Sequence, residues 1–363
     1  MRIGIIGLPA TGKTTLFDLL CVASGAKAIR HGANEPTVAV VKVPDPRLER
    51  LAFMFTAKKV TPATMEVVDF VALTRGTGKG EGLGSHFLTQ IRQVDALLHV
   101  LRDFDDPGIA HAEGQVDAAR DAILVNTELL LADLDTVEKR IGRLESDLKK
   151  IKKDETIKEL ELLERCRTWL AEEKPIRDLD LSEDDRKILR GFALLTAKPM
   201  LLLLNITEGK LGKPYPAQER LQRVLGGKDV AALPLCVKVE LEVVQLPDED
   251  AEAFRQDLGL KAGGFAGVLK ACYDLLGLIT FYTGEGGEET RAWTIPAGAT
   301  ALKAAATIHS DLERGFIRAE VVNYADLDAL GSTAAARKKG VYRVEGRDYL
   351  VADGDIILVR FNV

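Results

Sequence analysis

The chain has 363 residues, 46% hydrophobic and 29% charged, with a formal net charge of −6. That length exceeds one ordinary core, so two or three folded units are expected. The acidic balance excludes a protein that holds nucleic acid by overall charge and leaves such contact, without DNA specificity, to a local basic patch.

Residues 2–6 read as a buried strand with no signal-peptide pattern before it. Gly7-Leu8-Pro9-Ala10-Thr11-Gly12-Lys13-Thr14 follows, and then the helical run Thr14-Thr15-Leu16-Phe17-Asp18-Leu19-Leu20. The eight residues match GxxxxGK[ST] without departure, between a strand and a helix as the motif requires. Gly7 and Gly12 allow backbone N–H groups of the loop, with Leu8, Pro9, Ala10 and Thr11, to curl round a phosphate where a Cβ would clash. Lys13 neutralises β and γ oxygens, and the Thr14 hydroxyl suits Mg²⁺. Thr15 lies in the first helical turn, whose partial positive charge adds to the site.

Further strands are expected at residues 38–43, 64–69, 96–101 and 200–205. Most are continuous apolar runs, as in a sheet covered on both faces, and helical patterns alternate with them. The fold class is therefore α/β, a doubly wound P-loop NTPase sheet. Met65-Glu66-Val67-Val68-Asp69 ends one strand in an acid, which makes Asp69 the candidate carboxylate reaching Mg²⁺ through water. The apolar run at 200–204 is far too short to span a bilayer. Cys21, Cys166, Cys236 and Cys272 stand too far apart for a disulfide framework or a zinc site, so a cytoplasmic location is expected.

From Asn126 to about Leu195 the period changes. Leu134, Val137, Ile141, Leu144, Leu148 and Ile151 form an a/d seam, and Leu160, Leu163, Cys166 and Leu170 form a returning one. A projecting antiparallel hairpin explains both; a helix pair packed inside a globular domain is the alternative. Near the turn, Lys139, Arg140, Arg143, Lys149, Lys150, Lys152 and Lys153 stand against Glu145 and Asp147, a local +5. That tip is either a solvated surface or a contact for RNA phosphates. Beyond Leu275, strand-like segments at 291–295, 317–322, 342–344, 349–351 and 356–361, with one helix at 301–312, read as a small α+β domain. The expected organisation is an NTPase domain in two parts (1–125 and 196–278), a hairpin insertion (126–195) and a C-terminal domain (279–363).

Several segments carry a resemblance that runs the length of the chain. They are Gly7–Thr14, Val43-Pro44-Asp45-Pro46-Arg47-Leu48, Gly80-Glu81-Gly82-Leu83-Gly84, Asn126-Thr127-Glu128-Leu129 and Arg291-Ala292-Trp293-Thr294. Lys303-Ala304-Ala305, Arg314-Gly315-Phe316-Ile317-Arg318-Ala319-Glu320 and Arg360-Phe361-Asn362-Val363 continue the series. Together they resemble the YchF/Obg-like ATPases. The resemblance implies a coiled-coil insertion, a C-terminal TGS domain of β-grasp type, ribosome association through hairpin and TGS domain, and slow hydrolysis of ATP with Mg²⁺.

It also implies roles for particular residues. Asn205-Ile206-Thr207-Glu208 stands where GTPases carry Asn-Lys-x-Asp, so ATP is expected over GTP. Cys236-Val237-Lys238 falls on the second base-contacting loop, with Cys236 either open to oxidation or a buried inert thiol. His111 matches a family histidine implicated in hydrolysis; a solvated loop histidine is the other reading. His31, His86, His99 and His309 have no ligand spacing. Two departures bear on switching: Ala33 stands at the switch-I threonine, Thr37 being the nearest hydroxyl, and Asp69-Phe70-Val71-Ala72 replaces DxxG. Leu73 stands where many GTPases place a water-orienting glutamine, so turnover is expected to be slow; a GTPase of the same family, or a non-catalytic nucleotide-binding regulator in which Ala33 and Ala72 have ended hydrolysis, is the alternative.

Overall fold

The computed structural model describes residues 1–30, 32, 35–70, 85–150, 153–213, 215–225, 232–258 and 264–362. The expectations resting on His31, Ala33, Val71, Ala72, Leu73, residues 80–84, Ile151, Lys152 and Val363 lie outside the described residues. In chain order, β1 (Arg2–Ile6), α1 (Lys13–Ser24), β2 (Thr37–Lys42), α2 (Pro46–Met54), β3 (Lys59–Thr61) and β4 (Thr64–Asp69) come first. Next are α3 (Ser85–Ile91), β5 (Ala96–Asp103), α4 (Ala118–Leu148), α5 (Asp154–Ala171), α6 (Glu183–Leu189) and β6 (Met200–Ile206). Then follow α7 (Pro216–Leu225), β7 (Ala232–Leu235), α8 (Val237–Val243), α9 (Asp248–Asp257) and α10 (Gly264–Leu275). The remainder holds β8 (Leu278–Thr283), β9 (Glu289–Pro296), α11 (Ala301–Ile308), α12 (Ser310–Arg314) and β10 (Phe316–Asn323). It closes with α13 (Tyr324–Leu330), α14 (Thr333–Lys339), β11 (Arg343–Glu345) and β12 (Asp355–Phe361).

Two compact units result. Met1–Val41 and Glu66–Val268 form the first; Lys42–Met65 and Leu269–Val363 form the second. The first is built on a six-stranded sheet of order β2-β4-β1-β5-β6-β7. From β4 to β7 each neighbouring pair is parallel. Every residue of β6 is buried, which is why its sequence is unbroken apolar from Met200 to Leu204.

Asp117 starts α4 by accepting from the N–H groups of Ala119 and Arg120. The first turns of α4 pack on the sheet through Ala118, Ala122, Val125 and Leu129. From Leu130 α4 enters a second core, shared with Leu162, Leu163, Cys166 and Leu170 of α5, while Ala132 still packs on the first. Arg140 clamps the pair by donating to both carboxylate oxygens of Glu159, at 2.8 and 3.0 Å. The hairpin is thus rooted in the sheet and carries its own core. At its root Asp133, fully buried, accepts from the N–H groups of Leu195 and Thr196 and from the Thr196 hydroxyl.

The second unit has a sheet of order β11-β10-β12-β8-β9-β3. Successive residues of a strand face opposite ways, and Phe281 and Tyr282 of β8 enter separate cores. Phe281 packs with Ala301, Ala304 and Ala305 of α11. Tyr282 packs with Leu48 and Leu51 of α2, Ala63, and Leu327 and Ala336. Residues 42–65, which the sequence places inside the nucleotide domain, therefore complete the C-terminal core, and β3 pairs in parallel with β9.

Two local expectations are corrected. Residues 349–351 make only an isolated bridge between Thr300 and Leu350. There Tyr349 instead donates its hydroxyl to Asp355 at 2.8 Å. The helix expected over 301–312 breaks at His309, whose extended backbone (φ −165°) and ring nitrogen cap α12.

Candidate functional site

The sheet delivers the phosphate loop between the end of β1 and the start of α1. Gly7 has φ 144° and Gly12 has φ 95°, both in the region that glycine favours. A Cβ at Gly7 would run into the Val100 carbonyl of β5, and one at Gly12 into the Asn205 amide nitrogen. The Thr11 hydroxyl donates to the Leu8 carbonyl at 3.1 Å and braces the loop. Lys13 folds back over it, its Nζ donating to the carbonyls of Gly7 at 3.0 Å and Leu8 at 2.7 Å. Burial pulls the Lys13 ammonium down to about 8, against a raising influence from Asp69. An ammonium held at reduced hydration beside backbone N–H groups gains more from an anion than one in water does.

Thr14 and Asp69 meet as the motif requires, the hydroxyl donating to Asp69 Oδ2 at 3.0 Å. The other oxygen, Oδ1, is buried and has no partner among the described residues. Burial raises the Asp69 carboxyl, with the Thr14 hydrogen bond and Lys13 opposing. A hydroxyl next to an unsatisfied carboxylate oxygen is the oxygen chemistry a hard divalent cation takes, so Mg²⁺ fits these residues. The cleft around them, about 490 Å³, is also lined by Thr15, Arg30 and Thr37.

A second cleft of about 490 Å³ adjoins the loop at Ala10, Gly12 and Thr15. Asn205, at the end of β6, ties its two sides together. Its Nδ2 donates to the Thr11 carbonyl at 3.0 Å, and its Oδ1 accepts from the Val237 N–H at 3.3 Å. Ile206 and Val237 are buried at 2% and 0% exposure. No long cationic side chain therefore extends from position 206, where GTPases place their lysine. Glu208 opens a short 3₁₀ turn at the cleft. Cys236 is buried there and its thiol is pushed up, chiefly by burial, which agrees with the inert reading.

His111 does not line either cleft. Its side chain is 3% exposed, with Nε2 2.9 Å from Asp121 and Nδ1 accepting from the Glu113 N–H at 3.0 Å. Because Nδ1 accepts, the proton sits on Nε2 and is donated to Asp121. Phe104 and Glu242 of the second cleft and Arg30 of the first carry no motif; only the folded chain brings them to the site.

A sheet parallel from β4 to β7, with this loop, a strand-end carboxylate and an adjoining cleft, defines a P-loop nucleoside triphosphatase of the GTPase type. A family model described as a 50S ribosome-binding GTPase matches residues 2–165, and the YchF-GTPase C-terminal model, described as a protein of unknown function, matches 278–362. The ribosome-binding ATPase YchF of Bacillus subtilis strain 168 is 42% identical over 99% of this chain and 99% of its own length. That of Escherichia coli O157:H7 is 42% identical over 100% and 99%. The solved Schizosaccharomyces pombe YchF GTPase superimposes with a TM-score of 0.88 at 32% identity, covering 99% of this chain and 97% of that one. The chain belongs to the YchF family.

Proposed function

We propose that the chain is a slow, Mg²⁺-dependent ATPase of the cytosol that docks on ribosomes and uses its nucleotide state to regulate translation or a stress response. Lys13 takes the β and γ oxygens. Thr14 and Asp69 would hold Mg²⁺, which supplies charge neutralisation at the phosphates. His111 would have to release Asp121 before it could reach a phosphate. Ribosome docking is supported by the names of the curated relatives and by the hairpin tip, with the C-terminal unit, TGS-like by resemblance, as a second contact. Among the described residues no helix is long and apolar enough to cross a membrane.

The observation that carries ATP over GTP is the pair at the cleft: Ile206 turned into the core, and Glu208 where the guanine-reading aspartate would stand. The solved relative is called a GTPase and the curated relatives are called ATPases, so GTP is the second reading. Competition of ATP and GTP for a fluorescent nucleotide on nucleotide-free protein decides between them. ATP is expected to displace better, and Ile206→Lys with Glu208→Asp to shift the preference toward GTP at least several-fold, as a gained hydrogen-bond pair of about 1–3 kcal/mol implies. Better displacement by GTP from the unaltered chain would sink the adenine reading.

A further inference from the structure

Arg30 lines the phosphate cleft together with Lys13, Thr14, Thr37 and Asp69, although no motif names it. It follows the isolated bridge of Ile29 with Val38, which fixes the chain beside the first residue of β2. Its Nε donates to the Thr37 hydroxyl at 2.9 Å. Thr37 is itself 7% exposed, so the anchor is a held group and not a free surface hydroxyl. No hydrogen bond or ion pair to a described residue engages the two terminal nitrogens of Arg30. Asp69, the metal-side carboxylate, lines the same cleft.

We infer that Arg30 is a built-in arginine finger: a catalytic residue whose terminal nitrogens, aimed by Thr37, contact the γ-phosphoryl oxygens during hydrolysis. The inference rests on the triphosphatase reading above. A guanidinium is planar and permanently charged, so fixing Nε on one edge leaves paired donors on the other, the geometry that matches two phosphoryl oxygens. In the reaction, the water oxygen forms a bond to the γ-phosphorus while the bond from phosphorus to the β,γ-bridging oxygen breaks. The bridging oxygen leaves with the electron pair as part of the diphosphate. One water proton stays with the phosphate and the other passes to solvent. Arg30 transfers no proton; it offsets negative charge that spreads over the γ oxygens in the transition state, which is the task for which arginine fingers contribute. The need is plain from the sequence, where Leu73 replaces the water-orienting glutamine of many GTPases.

The test is single-turnover hydrolysis of ATP, alongside affinity for ADP and for ADP with aluminium fluoride, on the full chain. Arg30 is exposed, so Arg30→Ala is expected to fold and to bind ADP as before. Its hydrolysis should fall by about 10³-fold or more, the scale of arginine fingers elsewhere, and its affinity for the aluminium fluoride complex should fall with it. Arg30→Lys should recover only part of both, since charge returns without the fork. Thr37→Val should slow hydrolysis less than Arg30→Ala, and the double variant should be no slower than Arg30→Ala alone, because the threonine acts through the arginine. Wild-type rates and wild-type analogue affinity in Arg30→Ala overturn the assignment and leave the triphosphatase intact. An unaltered chain that neither hydrolyses ATP or GTP nor binds the analogue overturns both.

Discussion

The phosphate loop and residues 42–65 are both connections that leave strands of the same sheet, and they spend their interactions in opposite ways. The loop bonds to itself and to the strand ends beside it: Thr11 to Leu8, Lys13 to Gly7 and Leu8, Thr14 to Asp69. Residues 42–65 reach across the sequence. Arg47 donates to Asp353 at 2.6 Å, Tyr282 donates to Asp45 at 2.5 Å, and Arg50 donates to Asp328 at 2.8 Å. Leu48, Leu51 and Ala63 are buried against residues more than 200 positions away. The first connection lines the candidate phosphate cleft and adds little core. The second adds core and lies outside that cleft, so the two should respond oppositely to substitution.

The largest effect should come from Leu51→Ala. Leu51 is fully buried, and a buried leucine cut to alanine costs about 2–5 kcal/mol. The loss should fall on the second unit, which Trp293 reports, stacked on Phe281 with centroids 6.3 Å apart. Unfolding followed by tryptophan fluorescence in a Trp169→Phe background isolates that signal. Unchanged stability at Trp293 would mean that residues 42–65 are not part of that core. ATP affinity of the folded protein should stay as it was.

Lys13→Ala should do the reverse. Hydrogen bonds to charged groups contribute about 1.5–3 kcal/mol each, so triphosphate affinity should fall by roughly 10²-fold or more, as titration calorimetry would read. Stability should not fall at neutral pH. The folded-state value of Lys13, about 8, lies below its ordinary 10.5, so the folded chain binds this proton less well than the unfolded one. The penalty is fully present below pH 8 and fades as pH rises to 10.5. Any stability advantage of the alanine variant should therefore shrink across that window. A variant that binds ATP unchanged would remove Lys13 from the site.

How much of each region was legible follows from the same contrast. Gly7–Thr14 and Asp69 declare themselves because the ligand's chemistry demands those types at that spacing. The hairpin does too, since both of its helices repeat one seam, and Val137, Ile141, Leu144, Leu163 and Cys166 are buried as that period predicts. Residues 42–65 were hidden because their apolar positions satisfy a core supplied by a distant stretch, and one segment does not show where its partner lies. The strand Leu278–Thr283 carries no clear signal for a related reason. Its two faces enter two cores, so it lacks the alternation that marks a half-buried strand. Arg30 has no pattern at all; it becomes visible only when β2 brings Thr37 beside it.

The smallest effect concerns the hairpin tip, where a third kind of surface neither binds nucleotide nor builds core. Of its bases, Lys139 is paired with Asp135 and Arg140 with Glu159. Lys149, Lys150 and Lys153 are exposed and have no ion pair among the described residues. Free ammonium groups in an acidic chain suit phosphate contact, and each contact released should lower the slope of log affinity against log salt by about 0.7–0.9. Changing Lys149, Lys150, Lys152 and Lys153 to glutamine should therefore flatten that slope by roughly 3 in ribosome cosedimentation. Neither ATP affinity nor the Trp293 transition should move, because the tip contributes to neither the cleft nor the second core. Superimposable salt curves for the two proteins would leave the tip as solvated surface. The ribosome contact would then fall to residues 279–363, where 10 basic residues face 12 acidic ones and shape, not charge, would have to carry it.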